Sequence, residues 1–143
     1  MKLSKIILEG PLEYDPAFNK QVDIIQDKGG KYLGSGDYGS VYLLDGKAVK
    51  VTTDEIELEH AELLKGKKTN NFVYIYDVDR LGDKLGIITM DVMGKNKGEI
   101  PEEFIDALEA EALRYNINPE ELDIRPDNFM IHPKSGKLKM TDV

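Results

Sequence analysis

The residues best suited to chemistry lie late in the sequence, where Asp123-Ile-Arg125-Pro-Asp-Asn128 runs into a short strand pattern and a turn, and Asp142 follows. In that order, one aspartate can meet a substrate hydroxyl while an asparagine and a second aspartate converge on a divalent cation. Proline and asparagine ahead of a strand also serve as plain turn residues. The conjunction of all three groups around one hairpin favours the chemical reading. A second signal is Gly34-Ser-Gly36-Asp-Tyr-Gly39-Ser-Val41, in which glycines let backbone N–H groups approach phosphate oxygens with no Cβ in the way. Three glycines alone can equally make an ordinary turn.

A third candidate is Lys50, the end of Ala48-Val49-Lys50. On a strand, Ala48 and Lys50 share a face, and Val41 from the preceding strand can reach it, a surface suited to a flat base and its phosphates. A surface lysine on a half-buried strand is the competing reading. Glu59, flanking the apolar positions of the next helical segment, is placed to pair with Lys50, with Glu55 and Glu62 as rival choices.

These residues need elements to hold them, and the periodicity supplies the elements. Residues 1–30 form an extension: Lys2–Glu9 has strand character, and Asp15-Pro16 caps a helix that presents Phe18, Val22 and Ile25 on one face before Gly29-Gly30. Strands are expected at Lys31–Gly34, Ser40–Leu44, Lys47–Val51, Phe72–Val78 and Leu85–Met90, with tight turns at Asp45-Gly46 and Gly82-Asp83. Residues 54–65 read as a helix with Ile56, Leu63 and Leu64 apolar. The first half is thus a five-stranded antiparallel sheet with one helix. Gly94–Gly98 reads as a linker, 101–116 as an amphipathic helix carrying Phe104, Ile105, Leu108 and Ala112, and 129–140 as a hairpin turned at Pro133–Gly136.

The glycine turn lies between two strands, which excludes a dinucleotide-binding strand–helix fingerprint, and Gly66-Lys67-Lys68-Thr69 lacks the earlier glycine of a P-loop. The absence of cysteine excludes disulfides, thiolate zinc sites and thiol nucleophiles, and the isolated His60 and His132 make no metal cluster. A formal net charge of −8 over 143 residues argues against nucleic acid or membrane as a main partner. Ile6-Ile7-Leu8 is too short for a signal-peptide core and no stretch has the length of a membrane span, so a cytoplasmic location is expected.

In chain order and from Lys31 to Val143, these motifs resemble the protein-kinase family. The resemblance implies an α+β fold with a kinase-like N-lobe at 31–93 and a minimal C-lobe of one helix and a hairpin at 94–143, binding ATP with Mg²⁺. By the same resemblance Gly34, Gly36 and Gly39 cover the phosphates, Lys50 positions them, Glu59 is its ion-pair partner, Met90 is the gatekeeper, and backbone at Asp91–Met93 reaches the adenine. Asp123 is the catalytic aspartate, Arg125 stands where the family usually has lysine, and Asn128 and Asp142 hold the metal. The patterning is most similar to small phage- and bacterium-encoded kinases, which would place a phage-encoded chain in its host's cytoplasm.

Departures accompany it. The family's His-Arg ahead of the catalytic aspartate is Glu121-Leu122, Val143 stands for the phenylalanine of D-F-G, and the activation segment and large helical lobe are not among these residues. The helix at 101–116 is therefore expected to leave an apolar face uncovered for self-association or a partner. A terminal carboxylate beside Asp142 is expected to add a metal ligand or to raise the aspartate's pKa. Three functions remain open from sequence: a kinase acting on Ser or Thr of a protein, a pseudokinase-like module that regulates a host protein by binding it, and a small-molecule kinase.

Overall fold

The structure is a computed structural model and describes residues 15–143; the strand expected at Lys2–Glu9 lies outside the described residues. Helix α1 (Pro16–Asp27) opens on Asp15, whose carboxylate accepts from the Phe18 N–H at 3.0 Å. Its buried Phe18 and Ile25 join Tyr42, Val49, Val51 and Leu85 in a core cluster on the sheet, with Val22 at the margin. Helix α1 is thus docked onto the sheet by the face that the spacing predicts.

Five strands follow: β1 (Lys31–Ser35), β2 (Gly39–Leu44), β3 (Lys47–Thr52), β4 (Ile75–Gly82) and β5 (Leu85–Met90), antiparallel in the order β1-β2-β3-β5-β4. Asp45 and Gly46 both have positive φ (52° and 77°), the geometry of a two-residue hairpin turn that follows the strand twist. Val41 pairs with Lys50 and Ala48 with Met90, which aligns the four residues across three neighbouring strands.

Two expected elements differ. The fourth strand begins at Ile75, because Phe72 and Val73 leave the large sheet to meet the later hairpin: Phe72 bridges Met140, and the Val73 N–H donates to the Met140 carbonyl at 2.9 Å. The expected linker contains a strand, β6 (Gly94–Lys95), paired with β7 (Phe129–Ile131), which pairs in turn with β8 (Leu138–Met140). Satisfying backbone N–H and C=O groups beside a hairpin edge outweighs the local preference of glycine for a loop.

Helix α2 (Glu55–Leu64) buries Leu58, Ala61 and Leu64, leaving Ile56 and Leu63 exposed. Helix α3 (Glu102–Arg114) does not carry an uncovered apolar face. Leu108 and Ala112 are fully buried with Phe72, Ile117, Phe129 and Met140, and Phe104 packs edge-on against Phe129 with ring centroids 5.6 Å apart. The hairpin and the 72–73 segment cover this face, so the basis for expecting self-association there is gone; Leu113, on another side, is the exposed apolar residue of the helix. Glu111, also buried, accepts from the Asn70 and Asn71 N–H groups at 2.9 and 2.8 Å, fastening α3 to the turn after α2.

Candidate nucleotide and metal site

A cavity of about 630 Å³ opens beneath the β1–β2 turn, and the candidate site residues assigned from sequence line it, except Glu59. Gly34, Gly36 and Gly39 form the cover, Val41 and Ala48 an apolar wall, Met90 to Met93 the edge, and Met130 with Asp123, Arg125, Asn128 and Asp142 the opposite side. The glycines differ in what they serve. A Cβ at Gly39 would lie 2.6 Å from the Val51 carbonyl, so glycine is required there by the sheet itself. At Gly34 and Gly36 a Cβ would meet nothing within 4 Å, so the space above their backbone is open to a ligand.

Lys50 is the centre of the charge arrangement. Its ammonium contacts the Glu57 carboxylate at 2.6 Å and the Asp142 carboxylate at 2.7 Å. Glu57 is buried and also accepts from the Thr52 hydroxyl at 2.9 Å. Burial alone would lower the Lys50 pKa, but the two carboxylates outweigh it and the group is held above its usual range. Burial pushes Glu57 up to about 8 despite the lysine beside it. Asp142 moves the other way: burial opposes the charge, yet hydrogen bonding with Glu57 and the Lys50 ammonium hold it below the ordinary carboxylate range. The expected rise from a neighbouring carboxylate is not found.

Lys50 pairs with Glu57, so the assignment of Glu59 is corrected. Glu59 is exposed and has no partner among the described residues, while Glu55 and Glu62 both bind Arg80 of β4 at 2.6 and 2.8 Å. The error came from reading Ile56 and Leu63 as the buried stripe. The true stripe, Leu58–Ala61–Leu64, rotates Glu57 inward. A local signal existed: Asp54 with Glu57 has the capping-box spacing, which marks Glu57 as the third helical residue.

On the other wall, the Asn128 side-chain N–H donates to the Asp123 carbonyl at 2.8 Å, and the Thr141 N–H donates to the Asn128 carbonyl at 2.8 Å. The asparagine thereby ties the Asp123 loop to the strand that leads to Asp142. Its side-chain oxygen is left as the atom able to face a cation. The Arg125 guanidinium contacts the Asp123 carboxylate at 2.7 Å, and that contact, followed by Asp127, raises its pKa. Asp91 on this edge has its N–H and its carboxylate engaged: the N–H donates to the Tyr74 carbonyl at 3.1 Å, and the carboxylate accepts from the Tyr76 hydroxyl at 2.6 Å and lies 3.7 Å from His132 Nε2.

Among the described residues no three His, Asp or Glu side chains cluster as an all-protein cation cage. An oxygen pair of one asparagine and one aspartate fits instead a hard cation that takes its remaining ligands from water and phosphate, as Mg²⁺ does.

His60 is a residue the sequence reading missed. Buried on α2, one turn beyond Glu57, it reaches the Val143 carbonyl oxygen through Nδ1 at 2.6 Å and the Glu121 carboxylate through Nε2 at 3.1 Å. Glu121 and Leu122, the departures from the kinase pattern, thus have local partners: Glu121 meets this histidine, and Leu122 is buried in the main core.

No protein-family model matches the chain, and no curated protein matches it. Among solved structures it is similar to the kinase domain of Mycobacterium tuberculosis PknI, with a TM-score of 0.51 and 21% identity over 78% of this chain and 56% of that one. The fold is therefore protein-kinase-like, and the chain spans little more than half of that kinase domain. Among the described residues no helix is long and apolar enough to cross a membrane.

Proposed function

We propose that this chain binds ATP with Mg²⁺ and transfers the γ-phosphoryl group to a hydroxyl, that of Ser or Thr in a protein. The observation that carries the reading is the meeting of Lys50 and Asp142, 2.7 Å apart from opposite sides of one cavity roofed by the glycine turn. Lys50, braced by Glu57, positions phosphate oxygens. Asn128 and Asp142 supply oxygen ligands to the cation. Mg²⁺, when bound with the triphosphate, would neutralise charge on the phosphate oxygens. Asp123 orients the acceptor hydroxyl and takes its proton, and Arg125 supplies positive charge beside it. Catalysis of this kind is mostly positioning and charge stabilisation, which a compact site can provide.

One observation supports a second reading, a nucleotide-binding module without transfer. The Asp123 carboxylate is engaged by Arg125, so an acceptor must displace that contact. Melting of the protein with and without Mg-ATP, beside Asp142→Asn, tests the site, and labelled-phosphate transfer to the chain itself or to a lysate separates the two readings. Stabilisation by Mg-ATP that disappears in the variant, with label transferred, is the expected result. Stabilisation without any transfer leaves the binding module; no stabilisation removes both.

A further inference from the structure

A second cavity, of about 350 Å³, has Asp91 and Met93 in common with the first and is otherwise lined from 68–74 and 132–139. Its cationic groups are Lys68, Lys137 and Lys139, with His132 beside them. The setting is unusual for this chain, whose net charge is −8, since six of its 19 basic residues fall within 65–68 and 134–139. The fold brings the two segments together: Phe72 bridges Met140, and the Lys139 ammonium donates to the Thr69 carbonyl at 3.0 Å.

These charges are poorly compensated. Lys65 has an ion pair with Asp77, but Lys67, Lys68, Lys134 and Lys137 have no carboxylate partner within 4 Å among the described residues. Asp91 is the one carboxylate among the described residues lining the cavity; one of its oxygens accepts from the Tyr76 hydroxyl at 2.6 Å and the other lies 3.7 Å from His132 Nε2, which leaves Lys68 and Lys137 without it. Burial first, and then Lys137, push the Lys139 pKa down, with Glu111 and Asp91 opposing the shift. Lysines on an edge strand can serve merely to discourage strand pairing. That role leaves Lys68 unexplained, because it belongs to a separate loop on the same cavity.

We propose that this cleft is a docking site for an acidic segment of a partner protein. Complementary charge is the first argument: Lys68 and Lys137 line the cleft with no carboxylate partner within 4 Å among the described residues. The second is composition, since Tyr74 and Met93 add apolar surface that suits a peptide with a hydrophobic residue among its carboxylates. A nucleic acid is disfavoured, because its backbone extends past a cleft of this size onto a surface whose overall charge repels it. The proposal stands apart from the phosphotransfer reading, and each can fail alone.

The test is fluorescence anisotropy with a labelled decapeptide of Glu, Asp and Leu, at low and high salt, on the full chain. Saturable binding that weakens with salt is expected, and about ten-fold or greater loss of affinity in Lys68→Glu/Lys137→Glu, with melting temperature and Mg-ATP stabilisation unchanged. The milder Lys68→Gln/Lys137→Gln pair, expected to fall between wild type and the reversed variant, serves if charge reversal prevents folding. Absence of saturable binding, equal affinity in the variants, or tighter binding of an oligothymidylate than of the peptide would overturn the proposal.

Discussion

The two halves of the candidate site hold their functional groups in different ways. In the sheet half, Lys50 and Glu57 sit on a strand and a helix, with side-chain exposures of 13% and 3%, and each is bonded by a neighbour from another element. In the later half, Asp123 and Arg125 project from a loop at 52% and 56% exposure. That loop is closed by its own short-range bonds: the Arg125 N–H and the Asn128 side chain both donate to the Asp123 carbonyl, at 3.0 and 2.8 Å, and the Asn128 N–H donates to the Arg125 carbonyl at 2.9 Å. Strand and helix hold the groups assigned to phosphates, while bonds within a turn hold those assigned to the acceptor. A binding surface can thus be rigid on one wall and adjustable on the other without either wall lacking order.

Changes on each side should separate binding, stability and transfer. The largest effect belongs to Asp123→Ala, which should reduce phosphoryl transfer by about 10²–10⁴-fold while leaving stabilisation by Mg-ATP intact. Loss of both together in a melting and transfer assay would show that the loop also supports the nucleotide wall. Next, Leu108→Ala should cost about 2–5 kcal/mol in urea unfolding, because the residue is fully buried where α3 meets the hairpin. Leu113→Ala, at an exposed position of the same helix, should stay within about 0.5 kcal/mol. Equal costs would contradict the covered face of α3.

Smaller effects should resolve the glutamates. Glu57→Ala should destabilise by about 1–3 kcal/mol, through a buried ammonium and hydroxyl deprived of one acceptor, whereas Glu59→Ala should change almost nothing. Glu57 also gives a pH signature in the metal-free protein. Its folded pKa of about 8 lies above its reference value of 4.5, so the folded state keeps a proton that the unfolded state releases. Its contribution is therefore fully present below the reference value and is lost as pH rises through that window, a slope that Glu57→Gln should remove. Asp142, shifted downward, has the opposite sign: its contribution is present above its reference value of 3.8 and is lost as acid takes the pH below it. A stability profile unchanged by Glu57→Gln would contradict the raised value.

Most of the sheet and about half of the cavity lining could be read from residues alone, because glycine spacing, strand alternation and the order of Asp123, Asn128 and Asp142 are local or ordered signals. What escaped depended on contacts distant in sequence. The pairing of Gly94 with Ile131 and of Phe72 with Met140 leaves no periodic trace in either segment. The inward turn of Glu57 rested on which of two apolar stripes α2 buries, a choice made by packing against the sheet. His60 carries no motif; its role exists only where residues 121 and 143 meet the helix.

Helix α2 therefore ties three separate segments of the chain together. Two residues one turn apart on it, Glu57 and His60, grip the lysine of the third strand and the segments ending at Glu121 and Val143. A sideways slide of this rod by the length of one hydrogen bond would release all three grips at once, since packed interiors move between discrete arrangements rather than stretch. Ten residues of helix thus join the lysine side of the cavity to the segments that carry Asp123 and Asp142, and they do so from behind rather than at the mouth where ligands enter.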